Sequence, residues 1–123
     1  MPRFSIIVPC YQAAKTIADT LASLRAQTVS DWEALCVDDG STDATYALLR
    51  TAAAADPRIR VLENPGKGPS DARNHGAAQA CGEFLAFCDA DDLWAADKLA
   101  ALEAAFADPG RGRWFESTQS YQN

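Results

Sequence analysis

Four short apolar runs, each followed by a turn-forming segment and then by residues at helical spacing, constrain this chain more than any other feature. The first, Phe4–Val8 (FSIIV), is β-branched and continuous, as suits a strand buried on both faces, and Pro9, which lacks an N–H, is expected to stop it. Ile17, Leu21 and Leu24 then recur at helical intervals while Lys15, Asp19 and Arg25 can point to water, so a helix ending near Gln27 follows. Ala34–Val37 forms the second strand, and Asp38–Asp43 supplies turn and capping residues before a helix from about Ala44 to Ala54. That helix stops before Asp56 and Pro57, because the residue preceding proline is driven out of helical conformation. Ile59–Leu62 makes a third strand; a helix from Ser70 to about Ala80 is ended by Gly82; Phe84–Cys88 makes the fourth strand. A last helix carries Leu99, Leu102 and Phe106 and is expected to end at Asp108, Pro109 and Gly110.

Strands alternating with helices predict an α/β fold: a mainly parallel, Rossmann-like sheet with helices on both faces. A chain of 123 residues, 48% of them apolar, suffices for one core, placed in residues 1–108 with a tail at 109–123. Alanine supplies much of that apolar share and buries little area per residue. The bulkier strand residues, among them Ile7, Leu35, Val61, Leu85 and Phe87, are therefore expected to carry most of the hydrophobic stabilisation. Ligands of such sheets collect beyond the carboxyl ends of the strands, where Pro9–Gln12, Asp38–Asp43 and Asp89–Asp92 would emerge together.

A formal net charge of -6 argues against a sequence-independent grip on nucleic acid, which needs Lys and Arg on phosphates. Cys10, Cys36, Cys81 and Cys88 lack C-x-x-C spacing and only one histidine is present, so zinc and redox patterns are missing and buried free thiols are expected. No apolar stretch reaches the length of a signal core or membrane span. A cytoplasmic location is expected, with a longer parent polypeptide still able to associate with a membrane.

The sharpest chemical signal is Asp89-x-Asp91 directly after a buried strand, with Asp92 adjoining. Clustered carboxylates repel unless a cation or proton intervenes, and a hard divalent cation with the diphosphate it bridges would suit them. The same residues also serve a helix N-terminus, so a polar capping loop stays open. Asp39, in Asp38-Asp39-Gly40-Ser41, could accept hydrogen bonds from a nucleobase while Gly40 permits close approach, or the stretch is an ordinary turn. Tyr11 could stack on a base or turn inward. Arg73, in the first turns of a helix, could meet a diphosphate or form a surface ion pair. Lys67 lies outside any P-loop pattern, and His75, without a ligand partner at useful spacing, fits a helix surface better than a catalytic role.

In order, Ser5–Gln12 (SIIVPCYQ), Val37–Asp43 (VDDGSTD), Ala72–Gly76 (ARNHG) and Gly82–Asp92 (GEFLAFCDADD) closely resemble the family 2 glycosyltransferases, and Trp94 and Lys98-Leu99 extend the likeness. The resemblance implies a GT-A-type fold, a nucleoside diphosphate sugar as donor, commonly a UDP-sugar, and Mn2+ or Mg2+ on the diphosphate. It further implies that Tyr11 stacks on the base beside Pro9, that Asp39 hydrogen-bonds the base and that Arg73 assists base or phosphate. Asp91 would be the leading metal ligand, with Asp89 and Asp92 supporting ribose or metal and Asp38 a second-rank neighbour. Transfer to an acceptor hydroxyl with inversion, in cell-envelope polysaccharide synthesis, is the expected activity.

The catalytic base and acceptor-binding residues of that family come from a second half, and Glu116 stands in no context resembling the base motif. The tail is thus expected to be the truncated start of the acceptor-binding half, where Trp114, Phe115 and Tyr121 could also mediate homo-oligomerisation. The alternative function is a module that holds the donor and transfers nothing. A phosphatase with Asp89 as nucleophile would want its Asp-x-Asp pair after the first strand rather than the fourth.

Overall fold

The computed structural model describes residues 2–106 of the chain. The expected end of the last helix, the boundary at 108, and Trp114, Phe115, Glu116 and Tyr121 lie outside the described residues. Strand β1 (Phe4–Cys10) is followed by helix α1 (Ile17–Arg25), β2 (Trp32–Asp38), α2 (Thr45–Ala55), β3 (Ile59–Glu63), α3 (Gly68–Gln79), β4 (Phe84–Phe87) and α4 (Lys98–Phe106). All pairings are parallel and the strand order is β3-β2-β1-β4, as the alternation predicts. No helix among the described residues is long and apolar enough to cross a membrane.

Alternation along the strands sorts the sheet into two faces. Phe4, Ile6, Val8 and Cys10 of β1, with Ala34 and Cys36 of β2, pack into one core with Ile17, Leu21 and Leu24 of α1, Leu49 of α2, and Leu99 and Leu102 of α4. On the opposite face, Ile7 and Val37 meet α3 at Gly76, where an added Cβ would stand 2.6 Å from Ile7 Cγ2 and 3.2 Å from Val37 Cγ2. The helices therefore cover both faces. Val61, Leu85 and Phe87 are only half-buried, contrary to the expectation that they carry the core, because their strands lie at the edges of the described sheet.

Two other expectations are corrected. Pro9 does not end β1, which runs on through Cys10. Bonding direction alternates along the strand: the Ile7 carbonyl accepts from Cys88 N on the β4 side, whereas the Cys10 carbonyl accepts from Asp39 N on the β2 side. The Pro9 nitrogen therefore faces β4 beyond its last residue, where no ladder donor is required. Gly82 does not end α3, which stops at Gln79; it allows the chain to press against β1, as its amide donates to Ser5 Oγ at 2.7 Å. The thiols are free, and Cys10, Cys36 and Cys88 are buried as expected, but Cys81 is exposed.

That contact belongs to a polar cluster at the end of the sheet remote from the strand carboxyl ends. Glu33 Oε2 accepts from Ser5 Oγ and from Cys81 N, both at 2.6 Å, while Arg60 reaches Oε1 at 3.2 Å. Burial would raise the Glu33 carboxyl, but the bonds from Ser5, Cys81 and Arg60 outweigh it and hold the group below its ordinary range. Since the folded value is the lower one, the stabilisation is complete above the unfolded value of about 4.3 and is lost as pH falls through the folded value. Urea unfolding should therefore find parent and Glu33→Gln well separated at neutral pH and convergent in acid; an equal separation at both would contradict this.

Candidate functional site

Because the strands are parallel, the segments leaving β1, β2 and β4 share one rim, and a cleft of about 850 Å³ opens there. This lies within the range of small-molecule sites, roughly 300–1,000 Å³. Pro9 and Tyr11 enter it from β1, Asp39 from β2, Arg73 from α3, and Asp89 and Asp91 from the segment after β4. Residues as distant in sequence as Asp39 and Asp91 thus face one space. Tyr11 does not turn inward: its side chain is 61% exposed, as a ring available for stacking has to be. Lys15 is exposed, as expected, and also lines the cleft, whereas Lys67 and His75 are absent from its lining.

The acidic run is a closed turn. Asp89 N donates to Asp92 Oδ2 at 3.0 Å, and Asp92 N donates to Asp89 O at 3.1 Å. Carboxylate oxygens of Asp89, Asp91 and Asp92 all lie within 4.8 Å of one another. Asp91 is exposed to the cleft, whereas Asp92 is 9% exposed and absent from the lining, so it acts at least in part as the cap of this turn. Arg73 approaches Asp89 at 3.8 Å. Lys98 stands near Asp92; burial lowers its affinity for a proton and the Asp92 charge opposes that fall. Three carboxylates against these two cations leave one formal negative charge, and oxygen donors so grouped suit a hard divalent ion.

Asp39 is already oriented. Asn64 Nδ2 donates to its Oδ1 at 2.9 Å, and Gly68 N reaches Oδ2 at 3.0 Å. A carboxylate has about four lone-pair sites, so capacity for a base N–H is left. Asp38 is buried on the other side of the strand, where Ser41 N donates to its Oδ2 at 3.2 Å. Gly40 has φ 77, a conformation that favours glycine, and nothing of the protein lies within 4 Å of an added Cβ.

Sequence reasoning missed what holds the rim together. Gln12, with φ 50, accepts from Thr42 N at 2.6 Å through Oε1 and donates to Thr42 Oγ1 at 3.0 Å through Nε2, while its own amide donates to Ser41 Oγ. Ala13 N and Ala14 N donate to Thr45 Oγ1 and Asp43 Oδ2, which joins the loops after β1 and β2. Thr45 in turn holds the Asp43 carboxyl below its ordinary range by donating to it. Helix α1 and the residues at its two ends likewise tie down the acidic segment, through Thr16, Thr20, Ser23 and Gln27. Their steps of four, three and four residues are the signal that marks one helical stripe.

Solved structures with this architecture define the class. The mannosyltransferase PcManGT from Pyrobaculum calidifontis, in complex with GDP-Man and Mn2+, superposes with a TM-score of 0.83 at 34% identity, over 90% of this chain and 34% of that one. S. aureus TarS 1-349 in complex with UDP-GlcNAc gives 0.78 at 31% identity, over 89% and 36%. The fold is that of the GT-A glycosyltransferases. Within that class, residues 5–115 match Glycosyl transferase family 2, and the chain belongs to this family. It is 43% identical over 96 residues to the UDP-Glc:alpha-D-GlcNAc-diphosphoundecaprenol beta-1,3-glucosyltransferase WfgD of Escherichia coli, covering 77% of this chain and 37% of that protein. The putative teichuronic acid biosynthesis glycosyltransferase TuaG of Bacillus subtilis (strain 168) is 40% identical over 99 residues, 80% of this chain and 39% of that protein. The chain thus spans well under half the length of these relatives.

Proposed function

We propose that this chain is the donor-binding part of an inverting glycosyltransferase that takes a nucleoside diphosphate sugar, with a UDP-sugar as the preferred donor. The observation that carries this reading is the meeting of Asp39, Tyr11 and Arg73 with Asp89 and Asp91 in one cleft. In it, Tyr11 stacks on the base beside Pro9 and Asp39 accepts a base N–H, since a fixed carboxylate discriminates between bases by the donors they present. Arg73 faces the diphosphate, exchanging its long contact with Asp89 for phosphate oxygens. Asp91, with Asp89 and Asp92, would hold Mn2+ or Mg2+; the UDP-GlcNAc of TarS and the GDP-Man and Mn2+ of PcManGT support this assignment. A cation there supplies charge neutralisation for the departing diphosphate.

Attack on the anomeric carbon requires the hydroxyl of an acceptor substrate and a base that removes its proton, and neither role is assigned to a described residue. A cell-envelope polysaccharide is the proposed setting, by analogy with the teichuronic acid enzyme. A second reading is a module that holds the donor and transfers nothing. Calorimetric titration with UDP, GDP and dTDP, each with Mn2+ and with chelator, tests the donor assignment. UDP should bind most tightly and lose most of its affinity to the chelator; equal, metal-independent affinities would refute it. Release of sugar from a UDP-sugar would then exclude the second reading.

A further inference from the structure

We propose that Thr20, assisted by Thr16, is a positioning residue for the cation-binding carboxylates, acting through the backbone carbonyl between Asp89 and Asp91; this rests on the cation reading above. The intervening residue, Ala90, is held at both its ends. Its methyl group belongs to the core, 9% exposed, and its carbonyl accepts from Thr20 Oγ1 at 2.8 Å and from Thr16 Oγ1 at 3.0 Å. With that residue fixed inward, Asp89 and Asp91 on either side of it line the cleft.

Thr20 is 0% exposed, so its hydroxyl has no recourse to water and must find a protein acceptor. The usual acceptor for a helical threonine is the carbonyl one turn earlier, yet here the Thr16 carbonyl accepts the Thr20 amide and the hydroxyl reaches outward to Ala90. Further along the stripe, Trp94 N donates to Ser23 Oγ at 3.2 Å, Gln27 Nε2 donates to the Ala95 carbonyl at 2.7 Å, and Leu99 N donates to Gln27 Oε1 at 3.0 Å. Four polar residues of α1 and its two ends thus hold the segment from Ala90 to Leu99, and the two threonines hold its acidic end. Small divalent cations demand oxygen ligands at about 2.1 Å in a nearly fixed arrangement, so a turn displaced by a fraction of that distance loses affinity. Partners that orient ligands without touching the metal typically contribute roughly 10- to 100-fold to affinity.

The test uses the whole chain, with Mn2+ alone as probe, free ion being counted by electron paramagnetic resonance. Thr20→Val keeps the shape and removes the donor; Thr20→Ser keeps the donor. Thr20→Val should weaken Mn2+ binding roughly 10-fold, with Thr20→Ser recovering most of the loss. UDP affinity in chelator should stay that of the parent, which a general loosening of the fold would not permit. Thr16→Val, at the less buried end, should weaken Mn2+ by roughly 3-fold and carries the test if Thr20→Val does not fold. Mn2+ affinity unchanged in these valine variants, while Asp91→Ala abolishes it, overturns the positioning role and leaves the cation reading standing. A parent chain that takes up no Mn2+ overturns both.

Discussion

Asp91→Ala is expected to remove nearly all of the metal-dependent part of nucleotide binding, a fall on the order of 100-fold in affinity for UDP with Mn2+. Asp91 is the carboxylate of the triad most open to the cleft, and unlike Asp92 it is not occupied in closing the turn. On the proposed cation reading its removal takes away one ligand, while the bonds between Asp89 and Asp92 and the clamp on Ala90 involve other atoms. Thermal stability of the free protein should therefore stay close to that of the parent, and binding in chelator should be unaffected. Calorimetry in the two buffers separates these quantities. An Asp91→Ala protein that binds UDP and Mn2+ as the parent does would remove Asp91 from the cation site.

Gly82→Ala is expected to be the most damaging small substitution for stability. A methyl group there would stand 2.7 Å from Ser5 N and 2.8 Å from Phe4 C, both backbone atoms of a strand paired on each side. Neither can yield as a flexible side chain would. It would also stand 2.5 Å from Ser5 Oγ, the hydroxyl that links the Gly82 amide to Glu33. Overpacking of interiors costs about 1–3 kcal/mol, and the upper part of that range is expected here, roughly a 10 °C fall in melting temperature. Calorimetric melting measures it directly. A variant melting within about 2 °C of the parent would mean that the approach of the two segments is not as constrained as described.

The sequence disclosed the order and kind of every described element because bulky runs and helical periodicity are local signals. It disclosed less about where those elements end. Proline at position 9 reads as a stop only if its nitrogen is assumed to face a neighbour, and neighbours follow from strand order. Gly82 reads as a helix terminator until β1 is seen against it. Val61, Leu85 and Phe87 look like core residues because hydropathy does not reveal which strands lie at a sheet edge.

At the cleft the position of Asp89-x-Asp91 after an apolar strand was informative, and so was Asp39 in its turn. The polar residues that orient them were not. Thr16, Thr20, Ser23 and Gln27 resemble the solvent side of an amphipathic helix, and only the docking of the segment after β4 shows that they are covered. In the sequence Gln12 is one letter of a motif, yet its side chain bonds the loop after β2 through three contacts.

Seen together, these bonds give α1 a double attachment. Its leading loop is laced to the turn that presents Asp39, and its body grips the turn that presents Asp91. The turns that carry Asp39 and Asp91 are therefore both fastened to one helix rather than borne on independent strands. On the donor and cation reading proposed above, whatever factor a bound nucleotide adds to the affinity for the ion, the ion returns to the nucleotide, and α1 is the element that the two turns share.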